Sequence, residues 1–198
     1  MDEQLRAVLP PDFICAVDEL LALDSALGDD IRKLYLEAQA EPSNQTARRA
    51  FVRACWAYVE AVVFSIKRYT HVACHLGGVE LRSQDISFLS ETQLILEADG
   101  SVKEKQVLIR TLENVKQTFR LSSRIFDLDW TPGFGTTGWK NFRGALELRH
   151  RLTHPKTIGE IEVDDDAFKL QESAAVWFAE LFHAYKNNIL KKYSNFKQ

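Results

Sequence analysis

The sequence predicts an all-α protein, an up-and-down helical bundle of four main helices with a short helical N-terminal extension. Three observations point there. Apolar residues return at three- and four-residue steps over most of the 198 residues. No segment shows a clear β-branched alternation. Turn-forming breaks such as "EPSNQT", "EADGS" and "DLDWTPGFGTTG" fall between stretches of helical length. A composition of 45% hydrophobic and 27% charged residues fits a globular domain and excludes disordered and fibrous classes.

Residues 12–26 and 29–40 read as two short helices split by "LGDD", with Gly28 ending the first and Asp29 or Asp30 capping the second. With the break that follows, residues 1–45 form an extension packed on a main bundle of residues 46–198. The bundle opens with a helix from Thr46 to about Cys74. Phe51, Cys55, Tyr58, Val62 and Tyr69 form one apolar stripe of this helix, and Trp56, Val59, Val63 and Ile66 form another, which makes it central. "HLGGVEL" stops it. A shorter helix over 83–97 follows, with Ser83 as N-cap, and "EADGS" is a turn. From Val102 to Phe126, Leu108, Leu112, Val115, Phe119 and Phe126 keep helical steps. A helix from about Trp139 to Thr153 comes next. The last helix, about 166–192, turns Leu170, Ala174, Trp177, Leu181 and Tyr185 inward and ends in a basic tail.

A formal net charge of −3 excludes a broadly basic nucleic-acid-coating surface and confines any RNA contact to a local patch. Three cysteines, Cys15, Cys55 and Cys74, show no paired spacing, which suggests a reducing compartment. The start "MDEQLRAVLPPDF" lacks the basic and apolar regions of a secretory signal, so a cytoplasmic location is expected. The most apolar run, "ACWAYVEAVVFSI", has 13 residues and carries Glu60. A bilayer needs about 20, so no membrane association is expected.

"GFGTTG" at 133–138 matches the glycine spacing of dinucleotide-binding turns. Those glycines act between a buried strand and a helix, and no strand precedes them here. Trp139 also stands where a P-loop would need lysine. The stretch reads as a loop entering a helix. His71 with His75, and His150 with His154, are i,i+4 pairs, the second sharing a face with Glu147. They suggest a metal site, but His71 and His75 sit at a helix end that suits solvated histidines, and no metal or other cofactor is expected. Glu60, alone in an apolar run, has Trp56 and Phe64 as its four-residue neighbours. It needs a cation from another helix if buried, or a half-solvated place at the bundle edge.

The stretch "ALELRHRLTHPK", residues 145–156, sets two arginines and two histidines at a helix end. On an unbroken helix Arg149 and His154 would stand about 140° apart. Pro155 disfavours helical geometry at His154, so the helix ends there and the histidine is released to turn toward the arginine. Arg149 then offers a fork for a phosphate, and His154 an imidazole of the type that exchanges protons near neutral pH.

This pattern, an Arg followed directly by a polar residue and then by a His at the end of a helix of an all-α bundle, resembles the HEPN superfamily. The match is Arg149, His150 and His154, and it covers roughly residues 46–192 in helix order and lengths. The resemblance implies a homodimer with two copies of the motif in a shared cleft, and metal-independent RNA cleavage of a toxin or defence type. A ribose 2′-OH attacks its phosphate, His154 moves a proton, Arg149 holds the developing charge and His150 orients within the site. Arg151 and Lys156 would position the RNA backbone, and Glu60 would support the site. An antitoxin or other protein is a candidate partner. Against catalysis stand the five carboxylates of "EIEVDDD", which would repel a polyanion unless they cap the last helix. The alternative is a non-catalytic helical module that binds a protein or nucleotide.

Overall fold

The run "ACWAYVEAVVFSI" becomes the middle of a 33-residue helix. The computed structural model describes residues 10–77 and 80–194. Its elements are α1 (Pro11–Ala40), α2 (Gln45–Gly77), α3 (Ser83–Ser90), β1 (Thr92–Leu96), β2 (Val102–Gln106), α4 (Thr111–Ile125), α5 (Thr137–Thr153), a 3₁₀ turn (Ile158–Ile161) and α6 (Asp165–Ser194). The described chain is therefore mostly helical, as expected. The residues before Pro10, part of the "HLGGVEL" break (78 and 79) and the end of the basic tail (195–198) lie outside the described residues.

The chain divides into two compact units. One comprises residues up to Leu20 with Val63–Asp129, the other Leu21–Val62 with residues from Trp130 on. Two of the three boundaries fall inside helices, 20/21 in α1 and 62/63 in α2, so each long helix serves both units.

In the first unit, Ile66 and Phe119 are fully buried, and Tyr69 meets Phe13 edge-on at 6.2 Å and Phe126 at 5.6 Å. The Thr70 and Ser122 hydroxyls share a buried hydrogen bond of 2.8 Å. Asp85 is buried, which alone would raise its pKa. Hydrogen bonds donated by Arg82 (3.0 Å) and Arg124 (2.7 Å) overcome that cost and hold it below the usual carboxylate range. Lys67, its side chain only 2% exposed, donates to Glu91 at 2.7 Å and lies 4.0 Å from the centre of the Phe88 ring. Burial lowers the Lys67 pKa, and Glu91 opposes that shift. Glu91 also accepts from Asn114 at 3.3 Å. These bonds hold Glu91 at φ 55°, the left-handed turn that ends α3.

Between β1 and β2 the sequence expectation fails. The helix expected over 83–97 stops at Ser90, and the one expected from Val102 starts at Thr111. The intervening residues pair as an antiparallel hairpin, with Leu94 opposite Glu104 and Leu96 opposite Val102. "EADGS" is its turn: Asp99 accepts from the Ser101 amide (2.9 Å) and hydroxyl (2.6 Å), and Gly100 takes φ 82°. Leu94, Leu96, Val102 and Leu108 are all exposed. With no face buried, the strands carry no alternation for a sequence reading to detect. Nor does Ser83 cap α3. Arg82 takes that place, without a side-chain cap bond.

Gly28, expected to end a helix, does not. α1 runs through it unbroken, because the helix is anchored on both sides of the glycine. Before it, Asp24 accepts from Tyr58 Oη at 2.7 Å and Lys186 Nζ at 2.6 Å. After it, Tyr35 stacks on Phe168 at 6.0 Å and donates to Glu172. Such contacts outweigh the roughly 1 kcal/mol that glycine costs inside a helix. Asp29 is not a cap and pairs with Arg32 at 3.6 Å.

The core of the second unit centres on Phe142, which meets Trp56 at 4.9 Å, Trp177 at 5.1 Å and Phe178 at 5.8 Å. Two consequences can be measured. Glu91→Gln leaves a buried ammonium without its counter-charge and should cost about 2 to 4 kcal/mol at neutral pH, less than a fully buried pair because Glu91 keeps some contact with water. Without Glu91 the folded pKa of Lys67 falls further below its unfolded value. The folded state then binds fewer protons than the unfolded one, and urea unfolding should show this variant gaining stability as pH rises from neutral toward the unfolded lysine value. Gly138→Ala would set a Cβ 2.1 Å from Trp177 Cδ1. It should destabilise by about 1 to 3 kcal/mol in the same assay, through displacement of the indole.

Candidate functional site

All the residues of this site belong to the second unit. Ala145, Leu146, Leu148 and Leu152 turn α5 inward, which leaves Arg149 at the margin of that face. Its Nη2 donates to Glu60 Oε1 at 2.8 Å, with the side chains 29% and 54% exposed respectively. Glu60 thus takes the half-solvated place, and its cation comes from another helix.

The end of α5 follows the proline. Helical geometry holds through Thr153, whose Oγ1 donates to the Arg149 carbonyl at 2.8 Å. His154 is the C-cap, at φ −130° and ψ 58°, its amide still donating to the His150 carbonyl at 3.0 Å. The imidazole of His154 is exposed, and no hydrogen bond joins it to Arg149. His150 is exposed, with Nδ1 3.9 Å from Glu147 Oε2. Arg151 and Lys156 are exposed, and the Lys156 amide donates to Glu160 Oε2 at 2.7 Å. The structure therefore joins Arg149 to Glu60 and leaves His150, Arg151, His154 and Lys156 along a solvent-facing edge. Among the described residues no group of three or more His, Cys, Asp or Glu could hold a metal ion.

Sequence reasoning missed what holds this edge. Gln45 clamps Val163 as a strand partner would: its Nε2 donates to the Val163 carbonyl at 3.2 Å and its Oε1 accepts from the Val163 amide at 2.8 Å. Arg48, buried, donates to the same carbonyl at 2.8 Å and to Asp165 at 2.5 Å, and its guanidinium lies 5.2 Å from the Phe168 ring centre. That bond holds the Asp165 carboxyl below its usual range. Arg49 donates to the Ile161 carbonyl and Arg53 to the Leu152 carbonyl, each at 3.4 Å. The signal was present in "QTARRAFVR", where Gln45, Arg48, Arg49 and Arg53 share one helical face by their three-, four- and eight-residue spacing.

The carboxylates of "EIEVDDD" are largely engaged. Asp164 caps α6 by accepting from the Ala167 amide at 2.8 Å, Asp165 pairs with Arg48, and Glu160 takes the Lys156 amide. "GFGTTG" enters α5 through the N-cap Thr136, which accepts from the Trp139 amide at 3.4 Å, and Gly138 is needed for close packing on Trp177. A cavity of about 250 Å³, lined by Gly28, Trp56, Tyr58, Phe142, Phe178 and Cys55, lies away from this chemistry. Burial pushes the Cys55 thiol up to about 12, so it is not a nucleophile near neutral pH.

No family model matches the chain, and no curated protein or solved structure does either. No helix among the described residues is long and apolar enough to cross a membrane.

Gln45→Ala removes both bonds to the fully buried Val163 backbone. Its amide should then exchange with deuterium about ten- to a hundredfold faster, matching about 1 to 3 kcal/mol of lost protection. Unchanged exchange would mean that the clamp does not restrain the connection.

Proposed function

We propose that the chain is a HEPN-like protein acting as a metal-independent endoribonuclease of a toxin or defence type. In this reading it is cytoplasmic and homodimeric, an up-and-down bundle of four main helices over 46–198 with residues 1–45 packed on it. The observation that carries the reading is the Glu60–Arg149 pair one turn before an exposed His154. Glu60 occupies one donor of a five-donor guanidinium and fixes its direction, and the remaining N–H groups are available to a phosphate. His154, released from the helix at the cap, serves as the proton-transfer group. The 2′-OH of the ribose attacks the phosphorus, the 5′-oxygen of the next nucleotide leaves with a proton, and a 2′,3′-cyclic phosphate remains. Arg149 balances the charge on the non-bridging oxygens. His150 orients the RNA, and Arg151 and Lys156 hold its backbone.

The same pair also favours a second reading. A carboxylate 2.8 Å from the guanidinium offsets much of its charge, and Glu160 stands beside Lys156. A non-cleaving module that binds a protein or nucleotide would tolerate both better than an RNA-cleaving site. Incubating the purified chain with mixed RNA in EDTA separates the two. The nuclease reading expects cleavage that survives the chelator, leaves cyclic phosphate ends, and falls about a hundredfold or more in His154→Ala and in Arg149→Ala. Intact RNA, with a dimer still seen by sedimentation, favours the module.

A further inference from the structure

The two histidine pairs have the same spacing, and in only one do the rings meet. In α2, His71 Nε2 and His75 Nε2 are 3.1 Å apart, with ring centroids at 4.8 Å. We propose that His71 and His75 form a chelating site for a divalent first-row transition metal at the C-terminal end of α2, in the first unit.

Two imidazole nitrogens on one ion, each about 2.0 to 2.1 Å from it, stand about 2.9 Å apart at a right angle and about 3.3 Å apart at a tetrahedral angle. The observed separation falls between these, so an ion that replaces the shared proton needs the rings to tilt but not to move apart. Both rings turn the same nitrogen, Nε2, toward each other, and a ligating imidazole would carry its proton on Nδ1. Histidines that merely answered the helix dipole would be protonated and would repel one another. A 3.1 Å contact instead requires at least one ring to be neutral, since one nitrogen must accept.

The ligand set also restricts the ion. Two imidazoles suit copper(II), nickel(II) and zinc, and give calcium or magnesium none of the oxygen donors they require. With no third His, Cys, Asp or Glu grouped with them among the described residues, the site is open, and water or an added ligand completes it. Binding should follow the Irving–Williams order, copper(II) tightest. Chelation across one turn also cross-links the end of α2 and should stabilise the folded chain.

The test is calorimetric titration of the full chain with copper(II), nickel(II) and zinc salts in a non-coordinating buffer. A single saturable event is expected, at least about tenfold weaker in His71→Ala and in His75→Ala, and unchanged in His150→Ala/His154→Ala. Far-UV circular dichroism without metal checks the variants, and the exposed His75 carries the test should His71→Ala misfold. Two results would overturn the proposal: no saturable binding by the unsubstituted chain, or equal binding by His75→Ala. Neither depends on whether RNA is cleaved.

Discussion

The buried guanidinium of Arg48 is the constraint around which the second unit is organised. A charge removed from water must be matched by acceptors, and the acceptors used are the Val163 carbonyl and the Asp165 carboxylate. Val163 lies on the segment that joins α5 to α6, and Asp165 is the first residue of α6. These two bonds tie Arg48 to the start of α6 and to the connection after His154, while its buried Nε finds no acceptor among the described residues. Gln45 reinforces the same point from one turn earlier, and Arg49 and Arg53 extend the row along α2. One helix thus does two things: its apolar stripes fill the core, and its polar row holds a segment with little regular structure of its own.

That row also determines the electrostatics of the candidate site. A dense run of carboxylates beside a phosphate-binding edge would repel RNA, but these carboxylates are not all free charges. Asp165 is offset by Arg48 and Asp164 is spent on the helix dipole of α6. Glu162 and Asp166 of the same run are exposed, as are Arg151 and Lys156. What distinguishes a nuclease edge from a binding edge is thus how strongly Glu60 holds Arg149 once a phosphate competes for it.

The helices were legible where burial wrote a stripe. α2 and α6 follow from residues such as Phe51 and Trp177 at helical steps, and Pro155 marked the end of α5. The hairpin was not legible, because Leu94, Leu96 and Val102 face solvent and their pattern answers to no core. Gly28 misled for the opposite reason: a local preference was overridden by Asp24 and Tyr35, whose partners Tyr58, Lys186, Phe168 and Glu172 are 34 to 162 residues away. At the candidate site, the need of Glu60 for a cation could be read from its apolar surroundings. The identity of that cation could not, since it depends on the register between α2 and α5.

The two histidine pairs show how a cap can decide chemistry that spacing alone leaves open. His71 and His75 lie within a continuous helix, so the i,i+4 register carries both rings to one face and they touch. His150 and His154 have the same register and even the same backbone bond, yet His154 sits at φ −130° with Pro155 behind it. That one torsional change takes the second ring off the helical face. It removes a chelating pair and leaves a lone imidazole in solvent, one turn beyond a half-exposed arginine. The cap that separates the two rings is also what, under the proposed nuclease reading, would leave His154 free to move a proton.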